Sequence, residues 1–282
     1  MIIGIIGNGF VGKATKHLSC NDIQLLVYDI NPKLCEPLNT KLEDLEKCDI
    51  IFISVPTPMK KNGECFLGIV ESVVNDINTK LSNPPFIVIR STVPPGTSDK
   101  LGCYFMPEFL TEKNFINDFI NNKNWIFGVK DNEDDIDFKN KIIKLFNLSY
   151  KNKKILYNNI HFIKNSEAEM VKYFRNCFLS TKVSFCNEVE EFCGKKNIDY
   201  SMVRKFGGID PRIGISHTMV PGHDGKRGFG GTCFPKDTSA LRHEMNKIGM
   251  KSYVIDSIIE RNNNVDRNEQ DWNDNKGRAV VD

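Results

Sequence analysis

Short, wholly apolar runs alternate with segments of helical period through the first half of the chain. Ile2-Ile3-Gly4-Ile5-Ile6, Gln24–Tyr28, Asp49–Val55 and Phe86–Arg90 are such runs. A run without polar alternation reads as a strand covered on both faces, the habit of parallel sheets. Ile69, Val70, Val73, Val74, Ile77 and Leu81 recur at helical spacing and mark one core-facing stripe. Trp125–Val129 and Ile155–Tyr157 predict later strands, with a charged amphipathic helix over Asp131–Leu148 between them. From residue 166 the pattern turns purely helical. Ser166 and Glu169 fit a capping box. A long helix is expected from there to about Lys195, with Met170, Phe174, Phe178 and Phe185 as apolar positions. Asp199 opens a short helix, another begins near Thr238, and a last one covers about Lys251–Asn262. The pattern predicts an α/β fold: a doubly wound parallel sheet over 1–165, an all-α domain over 166–270, and a weakly ordered polar tail over 271–282.

The loops between these elements hold the chemistry. Gly7-Asn8-Gly9-Phe10-Val11-Gly12 directly follows the first strand and opens a helix, and the second strand ends at Asp29. Strand, GxGxxG, helix, strand and acid in that order form a dinucleotide fingerprint. The fingerprint makes the first domain Rossmann-like. A carboxylate at Asp29 holds a ribose 2′-hydroxyl and repels a 2′-phosphate, which favours NAD over NADP; Lys33 softens this only slightly. The next two strands end in Pro56-Thr57-Pro58 and Ser91-Thr92-Val93-Pro94. Ligands of open α/β sheets bind at such carboxyl ends. Glu108 and Glu112 follow Pro107, which suits either the first turn of a helix or a functional site. Lys172 and Asn176 lie four apart and share a helix face. The glycine-rich stretch 207–232 carries Arg212 and the run Pro221–Arg227, a set of donors suited to an anion. It leads into Gly228-Phe229-Gly230-Gly231-Thr232-Cys233-Phe234-Pro235-Lys236-Asp237. Glycine lets backbone approach a ligand closely. Cys233 reads either as a structural thiol in a tight turn or as a nucleophile, its thiolate favoured by Lys236 and a helix N-terminus. Asp237 suits the N-cap of the helix near Thr238.

Composition narrows the class. The chain has 282 residues with 38 basic and 36 acidic side chains, a balance that gives no case for nucleic acid or an anionic membrane surface. Nine cysteines at irregular spacing form no CxxC pair, so free thiols, a cytoplasmic setting and no metal site are expected. No apolar stretch approaches the ~18 residues of a membrane span.

Taken in order, these motifs resemble the UDP-glucose/GDP-mannose dehydrogenase family. Gly7–Gly12, Pro56–Pro58, Ser91–Pro94, Pro107–Leu110, Lys172 to Asn176, Asn187-Glu188, Arg212–Gly214 and Gly228–Asp237 carry the resemblance across nearly the whole chain. It implies oxidation of a nucleotide-sugar primary alcohol to a carboxylate with two NAD, UDP-glucose leading, and GDP-mannose or a UDP-N-acetylhexosamine as alternatives. It assigns Cys233 as nucleophile, Lys172 with Asn176 as oxyanion stabiliser, Asp237 and Thr92 to a catalytic water, and Glu108 to thioester hydrolysis. Around NAD it places Gly7–Gly12, Asp29, Lys33, Pro56, Thr57, Ser91, Thr92, Glu112 and Lys236. Around the sugar nucleotide it places Glu108, Phe109, Leu110, Lys172, Asn176, Arg212, Phe229, Gly230 and Cys233. It also implies a homodimer through the central helices, with Arg212 reaching a partner's substrate. Family members continue into a third, nucleotide-covering domain, and this chain is expected to lack it, with Pro221–Arg227 supplying phosphate donors in its place. A non-catalytic NAD- or nucleotide-sugar-binding protein is the reading from another class.

Overall fold

A computed structural model of the protein describes residues 1–281. Strands β1 (Ile2–Ile6), β2 (Gln24–Tyr28), β3 (Ile50–Ile53), β4 (Phe86–Ile89) and β5 (Tyr104–Phe105) pair in parallel. β6 (Asn124–Val129) meets β5 antiparallel and pairs in parallel with β7 (Asn159–Lys164). The sheet order is β2-β1-β3-β4-β5-β6-β7, so the chain reverses its direction of winding between β1 and β3. That switch point is where open α/β sheets open a ligand crevice. All four residues of β3 are fully buried, as the unbroken apolar runs required. Helices α1 (Phe10–Thr15), α2 (Gly68–Lys80), α3 (Thr97–Lys100), α4 (Phe115–Ile120) and α5 (Asp135–Lys151) connect the strands. Val70, Val74 and Ile77 of α2, and Phe138, Ile142, Leu145 and Phe146 of α5, turn into the core.

The strand expected at Ile155–Tyr157 is absent. Ile155 is a buried anchor, the Tyr157 carbonyl accepts the Trp125 indole N–H at 2.7 Å, and the strand begins two residues later. β7 is the sheet edge, and its polar residues alternate outward, so no apolar run announces it.

The chain divides into two compact units: residues 1–57 with 67–172, and residues 58–66 with 173 onward. This division differs from the expected boundaries. The first unit takes in the first eight residues of the long helix α6 (Asn165–Lys195), and residues 58–66 join the second. The second unit also holds α7 (Tyr200–Gly207), α8 (Phe234–Lys247) and α9 (Tyr253–Arg261), followed by a π-helical turn at Asn262–Asp266. The tail expected to be loosely ordered is packed: Trp272 is 3% exposed and Ala279 1%, and Met59 exchanges backbone hydrogen bonds with Ala279 and Val281. No helix among the described residues is long and apolar enough to cross a membrane.

The capping box is also corrected. α6 starts at Asn165, whose side-chain amide donates to Asp99 at 2.7 Å and to the Cys103 carbonyl at 2.9 Å. Glu169 does not reach back to its own helix start. Fully buried, it accepts the backbone N–H groups of Gly96 (2.5 Å) and Ser98 (2.8 Å) at the start of α3. Tertiary donors outbid the local ones because Glu169 lies on the buried face.

Candidate functional site

The turn after β1 has the geometry that a dinucleotide needs. Gly7 sits at φ +90°, and a Cβ there would lie 2.5 Å from the Ser54 carbonyl oxygen. A Cβ on Gly12 would come within 2.0 Å of the Gly7 oxygen, so only glycine lets α1 pack on β1. Gly9 faces open space, with nothing within 4 Å of a notional Cβ. Asp29 orders the turn by accepting the backbone N–H of Asn8 (2.7 Å) and of Asn31 (2.9 Å). Asn8 is 4% exposed, and its Oδ1 is buried with no hydrogen-bond partner. The Phe10 ring meets Phe115 edge-on, Val11 is half-buried, and Lys33 is exposed. The carboxyl-end loops of β3 and β4 are tied together. Ser91 Oγ donates to the Val55 carbonyl at 2.7 Å and accepts its N–H at 3.0 Å. Thr57 and Thr92 are buried here, and Pro56 is exposed.

The first unit also holds a buried charge cluster. Lys172 Nζ donates to Glu108 Oε1 at 2.6 Å, with both side chains almost fully buried. The Leu110 N–H adds a bond to Glu108 at 2.9 Å, and Lys172 lies 6.0 Å from the Phe109 ring centre. Burial alone would raise the Glu108 carboxyl. The charge and hydrogen bond of Lys172, the Leu110 N–H and the Arg90 charge outweigh it and hold the group below the usual carboxylate range. Arg90 was missed in the sequence, where it ends an apolar run. It is 2% exposed, bonds Thr15, and is pushed down to about 10 by burial, with Glu108 opposing. The residues Tyr104–Leu110 continue as strand and extended chain, so the helical option for Glu108 is excluded; Glu112 is exposed.

A second cluster surrounds the thiol. Cys233 is the N-cap of α8, and the Asp237 N–H closes the first turn onto its carbonyl at 2.9 Å. The cap expected at Asp237 therefore belongs to Cys233, which puts the sulfur itself at the positive end of the helix. The Asp237 carboxylate is 1% exposed and takes Lys236 Nζ at 2.5 Å on one oxygen and Asn176 Nδ2 at 2.6 Å on the other. Burial would lower the Lys236 ammonium, but the charges of Asp237, Cys233 and Cys65 raise it well above its ordinary value. Lys236 thus stays cationic beside the sulfur. Cys65 and Cys177 flank the same cluster, yet burial pushes Cys65 up to about 11 and drives Cys177 higher still. Cys233, unlike these two, is half-exposed.

Two expected binding groups are committed elsewhere. Arg212 is exposed and bonds both oxygens of Asp210, two residues away. Lys226 pairs with Glu269 and Asp271, and Arg227 with Glu190 and the Asn187 carbonyl, so the run 221–227 is a latch with its cations already neutralised. Phe229 is buried and Gly230 half-buried in the approach to Cys233. No group of metal-ligating side chains occurs among the described residues.

A glycine turn of this geometry at a sheet switch point defines an α/β protein of the dinucleotide-binding class, with a half-exposed cysteine at a helix N-cap. Residues 38–147 match the NAD binding domain of the UDP-glucose/GDP-mannose dehydrogenase family, and residues 166–264 match its central domain. The chain belongs to this family, and its cofactor is NAD. A UDP-glucose 6-dehydrogenase of Rickettsia bellii is 31% identical over 231 residues, 78% of this chain and 50% of that protein. One of Bacillus subtilis is 30% identical over 307 residues, 94% of this chain and 66% of its own. The solved UDP-glucose dehydrogenase of Pyrobaculum islandicum superposes with a TM-score of 0.76 at 26% identity, covering 93% of this chain and 67% of that one. The chain thus spans about half to two thirds of the length of these relatives.

Proposed function

We propose that this chain carries the cofactor turn and the thiol chemistry of an NAD-dependent nucleotide-sugar 6-dehydrogenase, oxidising UDP-glucose to UDP-glucuronate. The observation that carries the reading is Cys233 at the N-cap of α8 beside the buried Lys236–Asp237–Asn176 group, in a chain with a complete dinucleotide turn. Gly7–Gly12 and Asp29 are the residues that would hold NAD, which would supply the hydride acceptor for two oxidations. The first removes a hydride and the hydroxyl proton from the primary alcohol and leaves an aldehyde. The Cys233 sulfur bonds to the aldehyde carbon as its oxygen takes a proton, giving a thiohemiacetal. Loss of a second hydride and of that proton gives a thioester. Water then adds to the carbonyl carbon, the C–S bond breaks, and the carboxylate leaves with the sulfur restored.

Lys172 is the group assigned to the developing oxyanion, a role typically worth about 3–4 kcal/mol. Asn176, four residues on along α6, supports it and fixes Asp237. Asp237 and Thr92 orient the hydrolytic water. Glu108, held ionised between two cations, suits keeping Lys172 charged and ordered better than accepting a proton during hydrolysis. Phe174, Phe178, Phe185 and Phe192 leave an apolar stripe on α6, each between 58% and 66% exposed. A second copy of the chain is the proposed cover, and Arg212 would have to leave Asp210 to serve the partner's site.

The test is NADH formation from a panel of UDP- and GDP-sugars, with the Cys233→Ser variant as control. Two NADH per sugar and no turnover in the variant are expected. Free aldehyde accumulating in steady state, or full activity without the thiol, overturns the mechanism. A preference for GDP-mannose or a UDP-N-acetylhexosamine keeps the mechanism and changes the substrate.

A further inference from the structure

The segment before the thiol is clamped from behind by a structure that the mechanism does not use. Asn262 is fully buried at the start of the π-helical turn Asn262–Asp266. Its Oδ1 accepts the Phe229 N–H at 2.8 Å, and its Nδ2 donates to the Phe229 carbonyl at 3.0 Å. One side chain therefore satisfies both backbone groups of a residue four positions before Cys233. Only a short amide offers a donor and an acceptor in that geometry. The π turn is closed by the Arg267 N–H on the Asn262 carbonyl at 2.8 Å, which places Arg267 one widened turn further on. Single π turns inside helices recur at functional sites.

Arg267 forms the second jaw. Its guanidinium is 4% exposed and held by Asp271 at 3.0 and 2.9 Å and by Asp224 at 2.6 Å. A Cβ at Gly230 would lie 2.5 Å from its Cζ, and a Cβ at Gly228 would lie 2.4 Å from Asn262 Oδ1. Both glycines are thus required by protein atoms behind the segment. Asn187 adds a third hold, accepting the Gly228 N–H at 3.1 Å. Gly231 alone of the three has open space around it, on the stretch that leads into the thiol.

We infer that Asn262 and Arg267 are positioning residues for Cys233, fixing Gly228–Gly230 so that the thiol arrives at the N-cap of α8. The inference rests on the thiol chemistry proposed above. Neither residue exchanges a proton with the sulfur; they act through the backbone of Phe229 and Gly230. A loop set this way loses reactivity in steps as its supports are removed, because a displacement of about 1 Å is enough to spoil a catalytic geometry.

The experiment is alkylation of Cys233 by iodoacetamide in the whole chain, followed by peptide mass spectrometry across pH. It compares wild type with Asn262→Asp and Arg267→Lys. Asn262→Asp keeps the shape and the acceptor but turns a carboxylate oxygen on the Phe229 carbonyl. Arg267→Lys keeps the charge and removes the planar wall beneath Gly230. Both are expected to slow Cys233 alkylation about tenfold at neutral pH and to displace its pH dependence upward. Where turnover is present, kcat should fall about tenfold with KM for NAD unchanged. A lowered Tm with an unchanged alkylation profile in both variants overturns the inference and leaves a purely structural clamp. Alkylation needs neither cofactor nor sugar. A wild type inactive on every sugar overturns the enzymatic reading while this measurement still decides the positioning.

Discussion

The carboxylates of this protein are set apart by what surrounds them. Glu108 and Glu169 are both buried, but Glu108 faces two cations and Glu169 faces backbone N–H groups with Asp99 nearby. Burial pushes Glu169 up to about 7, against the bonds from Ser98 and Gly96. Its folded value lies above the ordinary 4.5, so the stability it contributes is present below that value and is lost as pH rises toward 7. The thermal midpoint of the wild type should therefore fall between pH 5 and about 7.5 by an amount missing from Glu169→Gln, a comparison that calorimetry makes directly. Glu108→Gln strands the buried Lys172 ammonium. Removing one partner of a buried pair costs about 3–5 kcal/mol, so urea unfolding should show a loss of that order. Loss below about 1 kcal/mol would mean that Lys172 finds water or another acceptor. Neither environment was legible in the sequence. Glu169 had the spacing of a capping box, and Arg90 was hidden at the end of an apolar run, because both roles depend on donors and charges distant along the chain.

At the scale of elements, the motif Gly228–Asp237 is a junction between a clamped segment and a helix start. Gly230→Ala drives a methyl into a guanidinium that two aspartates hold in place, so the strain has no inexpensive outlet. A loss of about 1–3 kcal/mol in denaturant unfolding is expected. Gly231→Ala meets no atom, and its strain comes from φ +73° alone, about 1 kcal/mol. Equal losses at the two sites would remove the steric argument. The helix pattern over α8 was readable, but its start was placed near Thr238, four residues late. Phe234 and Pro235 carry no helical period by themselves, and proline within a first turn is compatible with helix because its missing N–H has no partner there. That shift moves the cap from Asp237 to Cys233 and brings the thiol from near the helix start to the cap itself.

Across the whole molecule, the second unit is completed by the residues that looked like a tail. Trp272 is buried, and the strand-like contact of Met59 with Ala279 and Val281 fastens residues 58–66 to the same unit. Trp272→Ala should cost about 3–5 kcal/mol, seen as a lowered midpoint in thermal unfolding; a loss within 0.5 kcal/mol would return the segment to the status of a tail. The sequence by itself determined the parallel strands β1 to β4, the dinucleotide turn, the long helix and the family, because unbroken apolar runs, helical periods and glycine spacing are local signals. Tertiary structure decided the rest. The edge strand β7, the pairing of Lys172 with Glu108, the reach of Glu169, the neutralised cations of 226 and 227, and the Asn262–Arg267 clamp join residues distant in sequence. Burial and partner charge, which no local pattern records, decide what each of those side chains can do.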